Sequence, residues 1–281
     1  MVMKLGKKIG DGGCSEVFEL EKNKIIKLAK PNTSHSSMER EYQNSCLAWE
    51  AGLKVPKPYQ IVEWNNRSGI IFEKVEGESL YTKFIKTFTK LVGELNLENT
   101  DQNSLSITAH VLSQIHATPI SGLPSQRSIL KYSILHGGNY LSSEEKQYVI
   151  DLLDKIPEKF QLCHGDPNPG NIIICDGKPV IIDWMEASIG NPEADIAEYI
   201  LMLRYAVLPL DIPETAVRVF HSIREKLVIS FMEEFKKRGN LPLTDMDSWM
   251  VVVAARKLSA SGICEEEKQL LTKEIKKKIL L

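Results

Sequence analysis

The spacing of apolar and polar positions changes character about a quarter of the way along the chain. Ser15–Leu20 and Lys24–Lys30 are short β-type runs joined by a polar Glu21-Lys22-Asn23 turn, and they predict a hairpin. A helix is predicted to begin at Ser36, where Ser36-x-x-Glu39 fits a capping box. Tyr42, Cys46, Leu47 and Trp49 give it an apolar face, and Gly52 closes it. Val55-Pro56-Lys57-Pro58 is a breaker, after which Tyr59–Trp64 and Ser68–Lys74 predict a second hairpin around Asn65-Asn66-Arg67. From Glu78 onward, helical periodicity dominates. It predicts helices over Ser104–Ala117, Ser142–Ile156, Pro192–Tyr205, Thr215–Arg238, Asp245–Ser261 and Glu265–Ile279, the second opened by a Ser142-x-x-Glu145 box. One β island interrupts them: Phe160–Cys163 is a short strand, and Asn171–Cys175 with Pro179–Ile182 flank an Asp176-Gly177 turn. The pattern predicts a small β lobe over residues 1–77 and a larger, mostly helical lobe over residues 78–281 that carries a β hairpin.

Composition narrows the class without naming a function. The 281 residues are 43% hydrophobic and 26% charged, near the globular average, which argues against disorder. Thirty-five Lys and Arg against 37 Asp and Glu leave no electrostatic footprint for nucleic acid. No run approaches the ~20 apolar residues that span a bilayer, so no membrane association is expected. The opening MVMKLGKKIGDGG has basic residues but no apolar core of secretory-signal length. Five scattered cysteines (Cys14, Cys46, Cys163, Cys175, Cys264), without a CxxC pair, predict free thiols in a reducing cytoplasm.

The densest chemistry lies around the second-lobe hairpin. His164-Gly165-Asp166-Pro167-Asn168-Pro169-Gly170-Asn171 is followed by Ile181-Ile182-Asp183-Trp184. A short hairpin brings Asn171, at its start, beside Asp183, at its end. Two hard oxygen ligands at a strand end suit Mg²⁺, which takes few protein ligands and completes its shell with phosphate and water. Asp166, in the tight loop, is then free to face an acceptor hydroxyl, a division of roles that phosphoryl transfer needs. Asp-Pro-Asn-Pro-Gly is also ordinary turn chemistry, so the rest of the chain has to decide.

Near the N-terminus, Gly10-Asp11-Gly12-Gly13-Cys14-Ser15-Glu16-Val17 is a glycine loop followed by strand, not by the helix of a dinucleotide fingerprint or P-loop. Between two strands, glycines suit a lid that lets backbone approach phosphates, with Val17 beyond it against an adenine face. A plain glycine-rich hairpin would read the same. Lys27, in Ile25-Ile26-Lys27-Leu28, is either an edge gatekeeper or a lysine reaching inward to α/β phosphates. In the second case Glu41 is the favoured helix partner over Glu39.

In this order, the glycine loop, strand Lys, helix Glu, Glu73-Lys74-Val75-Glu76-Gly77, HGDxxxxN and IDW resemble the aminoglycoside phosphotransferase and choline kinase superfamily. Gly190-Asn191-Pro192-Glu193-Ala194-Asp195-Ile196-Ala197 is similar to that family's GDPxxDLA stretch, so the resemblance spans residues 6–195. It implies an α+β, bilobal, protein-kinase-like fold: a small antiparallel N-lobe with one helix, and a larger helical C-lobe with a catalytic hairpin. It further implies Asp166 as the catalytic Asp, Asn171 and Asp183 as Mg²⁺ ligands, and Lys27 with Glu41 as the phosphate-contacting pair. Gly10, Gly12, Ser15 and Val17 would cover the nucleotide. Phe72 would be the gatekeeper, with the Glu73 carbonyl and Val75 N–H at the purine hinge. His164 and Asp195 would brace the catalytic loop. The expected activity is transfer of the γ-phosphate of Mg²⁺-ATP, or GTP, to a hydroxyl of a small molecule.

Eight residues separate Asp183 from Pro192, too few for the activation segment on which protein substrates dock. A protein kinase and a non-catalytic nucleotide-binding module are the alternatives, and intact Asp166, Asn171 and Asp183 count against the latter. A polycationic acceptor would want an acidic pocket. Residues 184–281 hold 15 Asp and Glu against 14 Lys and Arg, which speaks against one. Tyr199, Tyr205, Phe220, Phe231 and Trp249 could instead cage a quaternary ammonium, or simply be core. Cys163, His164 and Cys175 match no zinc spacing. Cys14, in the glycine loop, is a candidate oxidation-sensitive thiol.

Overall fold

A computed structural model describes residues 4–93, 102–209, 212–238, 242–260 and 262–279. Its first part is an antiparallel sheet of five strands: β1 (Lys8–Asp11), β2 (Ser15–Leu20), β3 (Lys24–Ala29), β4 (Pro58–Trp64) and β5 (Arg67–Glu73), in the order β1-β2-β3-β5-β4. Helix α1 (His35–Glu50) covers one face. Because side chains alternate along β3, Ile25, Lys27 and Ala29 share the helix-facing side. Ile26 and Leu28 face the other side, where Phe18, Leu20, Ile71, Val62 and Trp64 form a second small core. Tight turns at Lys22-Asn23 and Asn65-Asn66 close both hairpins, and all four residues have positive φ. That is the geometry two-residue hairpins favour and Asn tolerates.

The start of α1 differs from the expected Ser36 box. Ser34 is the N-cap, its hydroxyl accepting from the Ser37 N–H at 3.1 Å, and Ser36 lies inside the first turn. Several adjacent serines compete for one cap here, and Glu39 pairs instead with His35 at 3.2 Å. Pro58 opens β4 rather than preceding it. This strand is at the sheet edge, where a missing N–H costs no ladder bond.

After a two-residue strand β6 (Glu78–Ser79), helices dominate: α2 (Leu80–Gly93), α3 (Gln102–Ala117), α4 (Gln126–Leu135) and α5 (Ser143–Lys155). The β island follows, with β7 (Gln161–Cys163), β8 (Ile172–Cys175), β9 (Lys178–Ile181) and β10 (Ser188–Gly190). The chain then runs through α6 (Pro192–Tyr205), α7 (Glu214–Arg238), α8 (Met246–Lys257) and α9 (Glu265–Ile279). The reciprocal Ser142–Glu145 box caps α5 as expected. Helices α2 and α4 were not anticipated; α2 is rich in Thr and aromatic residues, a strand-like composition that tertiary packing overrides. The predicted end of α8 at Ser261 lies outside the described residues; the helix itself stops at Lys257.

Two cores fill this part. One joins α2, α3, α6 and α7 around Trp184, and the other joins α4, α5, α8 and α9. Helix α6 runs between them and is buried over nearly its whole length. The architecture is the expected α+β, bilobal, protein-kinase-like one. None of the helices is long and apolar enough to cross a membrane among the described residues.

The connection into β6 depends on Gly77. A Cβ there would fall 2.4 Å from the Ile174 carbonyl oxygen, because β6 pairs with β8 through Glu78 and Ile174. Gly177, in the β8–β9 turn, has positive φ but open space. Urea denaturation is therefore expected to show Gly77→Ala costing about 2–3 kcal/mol, through a clash with backbone. Gly177→Ala should cost about 1 kcal/mol, through strain alone. Equal costs would contradict the close approach.

Candidate active site

Strand β7 delivers the chain into His164-Gly165-Asp166, and the first turn of α6 holds that loop in shape. Asp195 accepts from the His164 N–H at 2.8 Å, the Gly165 N–H at 2.9 Å and His116 Nε2 at 3.0 Å. Burial would raise its carboxyl, but the His116 hydrogen bond and the two backbone donors outweigh it and hold the group below its ordinary value of 3.8. Gly165 has φ +80°, and a Cβ would meet the Glu186 carbonyl oxygen at 2.3 Å. His164 is buried; its Nδ1 accepts from the Asp166 N–H at 3.3 Å, so Nε2 carries the proton donated to the Ile182 carbonyl at 3.2 Å.

The hairpin β8–β9 brings its two ends together. The Ile182 N–H donates to the Asn171 carbonyl at 2.9 Å, which puts Asp183 next to Asn171. Asn171 Nδ2 donates to the Asp166 carboxylate at 2.9 Å and to its backbone carbonyl at 3.1 Å. Its amide oxygen is thereby left as an acceptor. Asp183 sits at φ +64°, a left-handed conformation that Asp tolerates better than most residues. Amide oxygen and carboxylate make a hard-oxygen donor pair, which suits Mg²⁺.

Lys27 reaches across from β3. Its Nζ lies 2.5 Å from Glu41 and 3.1 Å from Asp183, so one ammonium ties sheet, helix α1 and hairpin. Burial opposes its charge, yet the facing carboxylates of Asp183 and Glu41 prevail and keep it protonated well above the usual lysine range. Burial pushes the Glu41 carboxyl up, against the pull of Lys27. Asp183 is held low by Lys27 in spite of the packing around it. Asp166 is raised, first by burial and then by the like charges of Glu198 and Asp183.

Gly12, Gly13, Cys14, Ser15, Asp166, Asn171 and Asp183 line one cavity of about 740 Å³. The Gly12 N–H donates to the Ser15 carbonyl at 2.9 Å, and Lys30, Asn32 and Thr33 hydrogen-bond the carbonyls of Gly12, Gly13 and Cys14, so the glycine loop is pinned from the β3–α1 connection. Gly10 and Val17 lie behind the tip, and a Cβ on Gly10 would touch Val17 at 3.2 Å. Val17 pairs with Lys27, and Lys27 with Ile70, in one row across the sheet. Phe72 is buried with Met38, Ile70 and Met185. Glu73 ends β5 with its side chain exposed, and Val75 is half-buried in the linker to β6. Neither these residues nor Gly10, Val17, Lys27 and Glu41 line that cavity.

Several contributors have no counterpart in the sequence reading. Asn44, one turn beyond Glu41, donates to the Trp184 carbonyl at 2.9 Å and so fixes α1 to the loop after Asp183. Arg256, at the end of α8, donates to the Gly165 carbonyl and lies 3.6 Å from Glu198, which Lys257 approaches at 2.5 Å. The Glu41-to-Asn44 spacing on a buried helix face was the available signal for the first. For Arg256-Lys257 there was none, because a basic pair ending an apolar helix is an ordinary C-terminus. His116, Cys163 and Asp195 cluster within 4.8 Å, but Asp195 is occupied by its three donors and burial holds the Cys163 thiol well above its ordinary range. Through these bonds His116 and Asp195 brace the His164–Asp166 loop.

The profile of a family described as "Phosphotransferase enzyme family" matches residues 6–216. No curated protein sequence matches the chain. Among solved structures, it resembles a thermostable mutant of aminoglycoside phosphotransferase APH(4)-Ia in its apo form (14% identity, TM-score 0.62, 99% of this chain and 94% of that one). It also resembles an amicoumacin kinase in complex with AMP-PNP, Ca²⁺ and Ami (13%, 0.59, 97% and 88%). A third is aminoglycoside phosphotransferase APH(3'')-Id from Streptomyces rimosus (16%, 0.56, 90% and 92%). At these identities, the likeness is one of fold.

Asp195→Asn tests the brace. The variant should lose about 3 kcal/mol at neutral pH, since an amide cannot accept all three bonds that the carboxylate does. A carboxyl depressed in the folded state stabilises above its unfolded value, and the contribution fades as pH falls through the folded value. The gap between wild type and variant in chemical denaturation should therefore be full at neutral pH and shrink below the ordinary aspartate value of 3.8. A gap that widens in acid would refute the assignment.

Proposed function

The chain belongs to the phosphotransferase enzyme family and is a small-molecule phosphotransferase, and from that premise we propose that it moves the γ-phosphoryl group of Mg²⁺-bound ATP to an acceptor hydroxyl. The observation that carries the reading is Lys27 held between Glu41 and Asp183, with Asp183 lining the same cavity as Asp166 and Asn171. A buried ammonium at that junction would neutralise phosphate oxygens. Asn171 and Asp183 would hold the Mg²⁺, which supplies further charge neutralisation to the phosphates when bound. Gly10, Gly12 and Ser15 would cover the phosphates. Val17, Phe72, the Glu73 carbonyl and the Val75 N–H would surround the purine of ATP, or of GTP in its place.

Asp166 orients the acceptor hydroxyl and takes its proton. The acceptor oxygen bonds to the γ-phosphorus, the bond from that phosphorus to the β–γ bridging oxygen breaks, and ADP departs. The transition state is loose and highly charged, so positioning and electrostatics do most of the work. The Asn171 amide, bonded to both Asp166 oxygen types, holds the carboxylate in place for this step. We read the two lobes as residues 1–77 and 78–281, meeting at the cleft. The eight residues between Asp183 and Pro192 include β10, which pairs with β7, and this supports a small molecule over a protein as acceptor. Five free thiols fit a cytoplasmic setting.

The test is Mg²⁺-ATP consumption across aminoglycosides, choline, ethanolamine, thiamine and sugar alcohols. Asp166→Asn should lower kcat by about a thousandfold and leave nucleotide Kd within about twofold, because the hydroxyl and not the nucleotide is its partner. Lys27→Ala should weaken nucleotide binding as well. If no acceptor stimulates turnover and Asp166→Asn matches wild type, the reading is lost.

A further inference from the structure

The cavity that holds Asp166 extends well past the residues assigned to phosphate and metal, and the character of that extension is apolar. Tyr81 and Phe84 from α2, Tyr199 and Met202 from α6, Leu208 beyond it and Phe220 from α7 line it. The rings are braced from behind. Phe84 stacks on Phe88 with centroids 5.7 Å apart and meets Phe220 edge-on at 6.2 Å, while Tyr199 lies 4.4 Å from Phe231. A wall so supported stays in shape without a ligand.

The lining of the same cavity carries five carboxylates against two cations, and most of those carboxylates are held in ion pairs. Lys257 Nζ lies 2.5 Å from Glu198 and 3.9 Å from Glu267, and Arg256 lies 3.6 Å from Glu198. Two acids and two bases are thus locked in one buried cluster. The remaining lining carboxylates are also accounted for: Asp183 faces Lys27 at 3.1 Å, and Glu186 faces Arg40 at 3.7 Å. Among the described lining carboxylates, Asp166 alone makes no ion pair within 4 Å, although Arg256 lies near enough to act on its charge, and its place is opposite the reacting hydroxyl. An acceptor bearing several ammonium groups would find Asp166 as the one lining carboxylate outside an ion pair among the described residues, and each further ammonium would have to compete with a pair already made, at a cost where that pair is the buried Glu198 cluster. An uncharged molecule displaces water from the apolar wall and leaves every pair intact.

We propose that the acceptor is an uncharged hydroxylated molecule with an apolar or aromatic face, rather than a polycation. This rests on the phosphotransferase reading for the role of Asp166, but the recognition chemistry is a property of the wall itself. The cavity, at about 740 Å³, falls within the ~300–1,000 Å³ that hold small organic ligands, with one end shared by the phosphates.

The experiment uses the full chain and two probes: 4-methylumbelliferyl β-glucoside, uncharged with a flat aromatic face, and kanamycin, a polycation. Fluorescence titration of the first and calorimetric titration of the second, without nucleotide, should show the glucoside binding about tenfold or more tightly. Its Kd should be unchanged between low and high salt, because no ion pair is involved. Met202→Asp, which puts an unpaired carboxylate in the wall, should weaken it about tenfold; Leu208→Ser serves the same purpose if that variant does not fold. Kanamycin binding more tightly, absence of glucoside binding, or indifference to both variants overturns the proposal. Mg²⁺-ATP binding, read separately by thermal shift, keeps the two readings apart. Glucoside binding without Mg²⁺-ATP binding upholds the acceptor class and removes the kinase. Mg²⁺-ATP binding with a preference for kanamycin does the reverse.

Discussion

Burying the Lys27 ammonium is the constraint around which the molecule is arranged. A charge taken out of water is tolerated only with partners at short range, and here the partners come from different parts of the chain. Glu41 arrives on the helix that covers the sheet, and Asp183 arrives from the hairpin. Lys27 faces that helix because β3 alternates, so a one-residue slip in register would turn the ammonium to the apolar far side of the sheet. Sheet register, helix placement and hairpin position are therefore not independent choices. The left-handed backbone of Asp183 belongs to the same account, since it carries the carboxylate out of the hairpin toward Lys27.

The second centre of order is Asp195, and it works by a different means. Where Lys27 joins lobes by opposite charge, Asp195 shapes a loop by collecting donors from two backbone amides and one imidazole. Arg256 holds the same loop from the other side, through the Gly165 carbonyl. Asp166 is thus fixed by its neighbours' backbone, and among the described residues its carboxylate accepts a hydrogen bond from Asn171. The cost is a half-buried carboxylate beside the like charges of Glu198 and Asp183, a setting in which reactive groups are commonly found.

How much of this was legible follows from the range of the interactions. Lys22-Asn23, Asn65-Asn66 and Asp176-Gly177 mark their turns because each pair contains an Asn, Asp or Gly that tolerates the left-handed backbone the turn needs. The juxtaposition of Asn171 with Asp183 follows from hairpin spacing and can be read directly. The cap of α1 could not be placed, because Ser34, Ser36 and Ser37 offer the same chemistry and geometry chooses among them. Helix α2 hides behind strand-like residues that packing against α7, with Phe88 edge-on to Phe220, makes helical. Arg256 is about ninety residues from the carbonyl it holds, and no local pattern encodes such a pairing. Apart from the choice among those serines, what was missed is long-range; what was found is local or carried by a recurring motif.

Asn44 gives these observations a further meaning. Its amide is buried in a helix of the small lobe, yet it donates to the Trp184 carbonyl of the large one. Helix α1 consequently belongs, energetically, to the loop after Asp183 as much as to the sheet it covers. Loosening that loop costs the helix a hydrogen bond, and tilting the helix costs the loop one. The two lobes are in this sense a single cooperative unit, and any swing of the sheet has to be absorbed on the sheet side of α1, in the glycine loop and the strands that carry it.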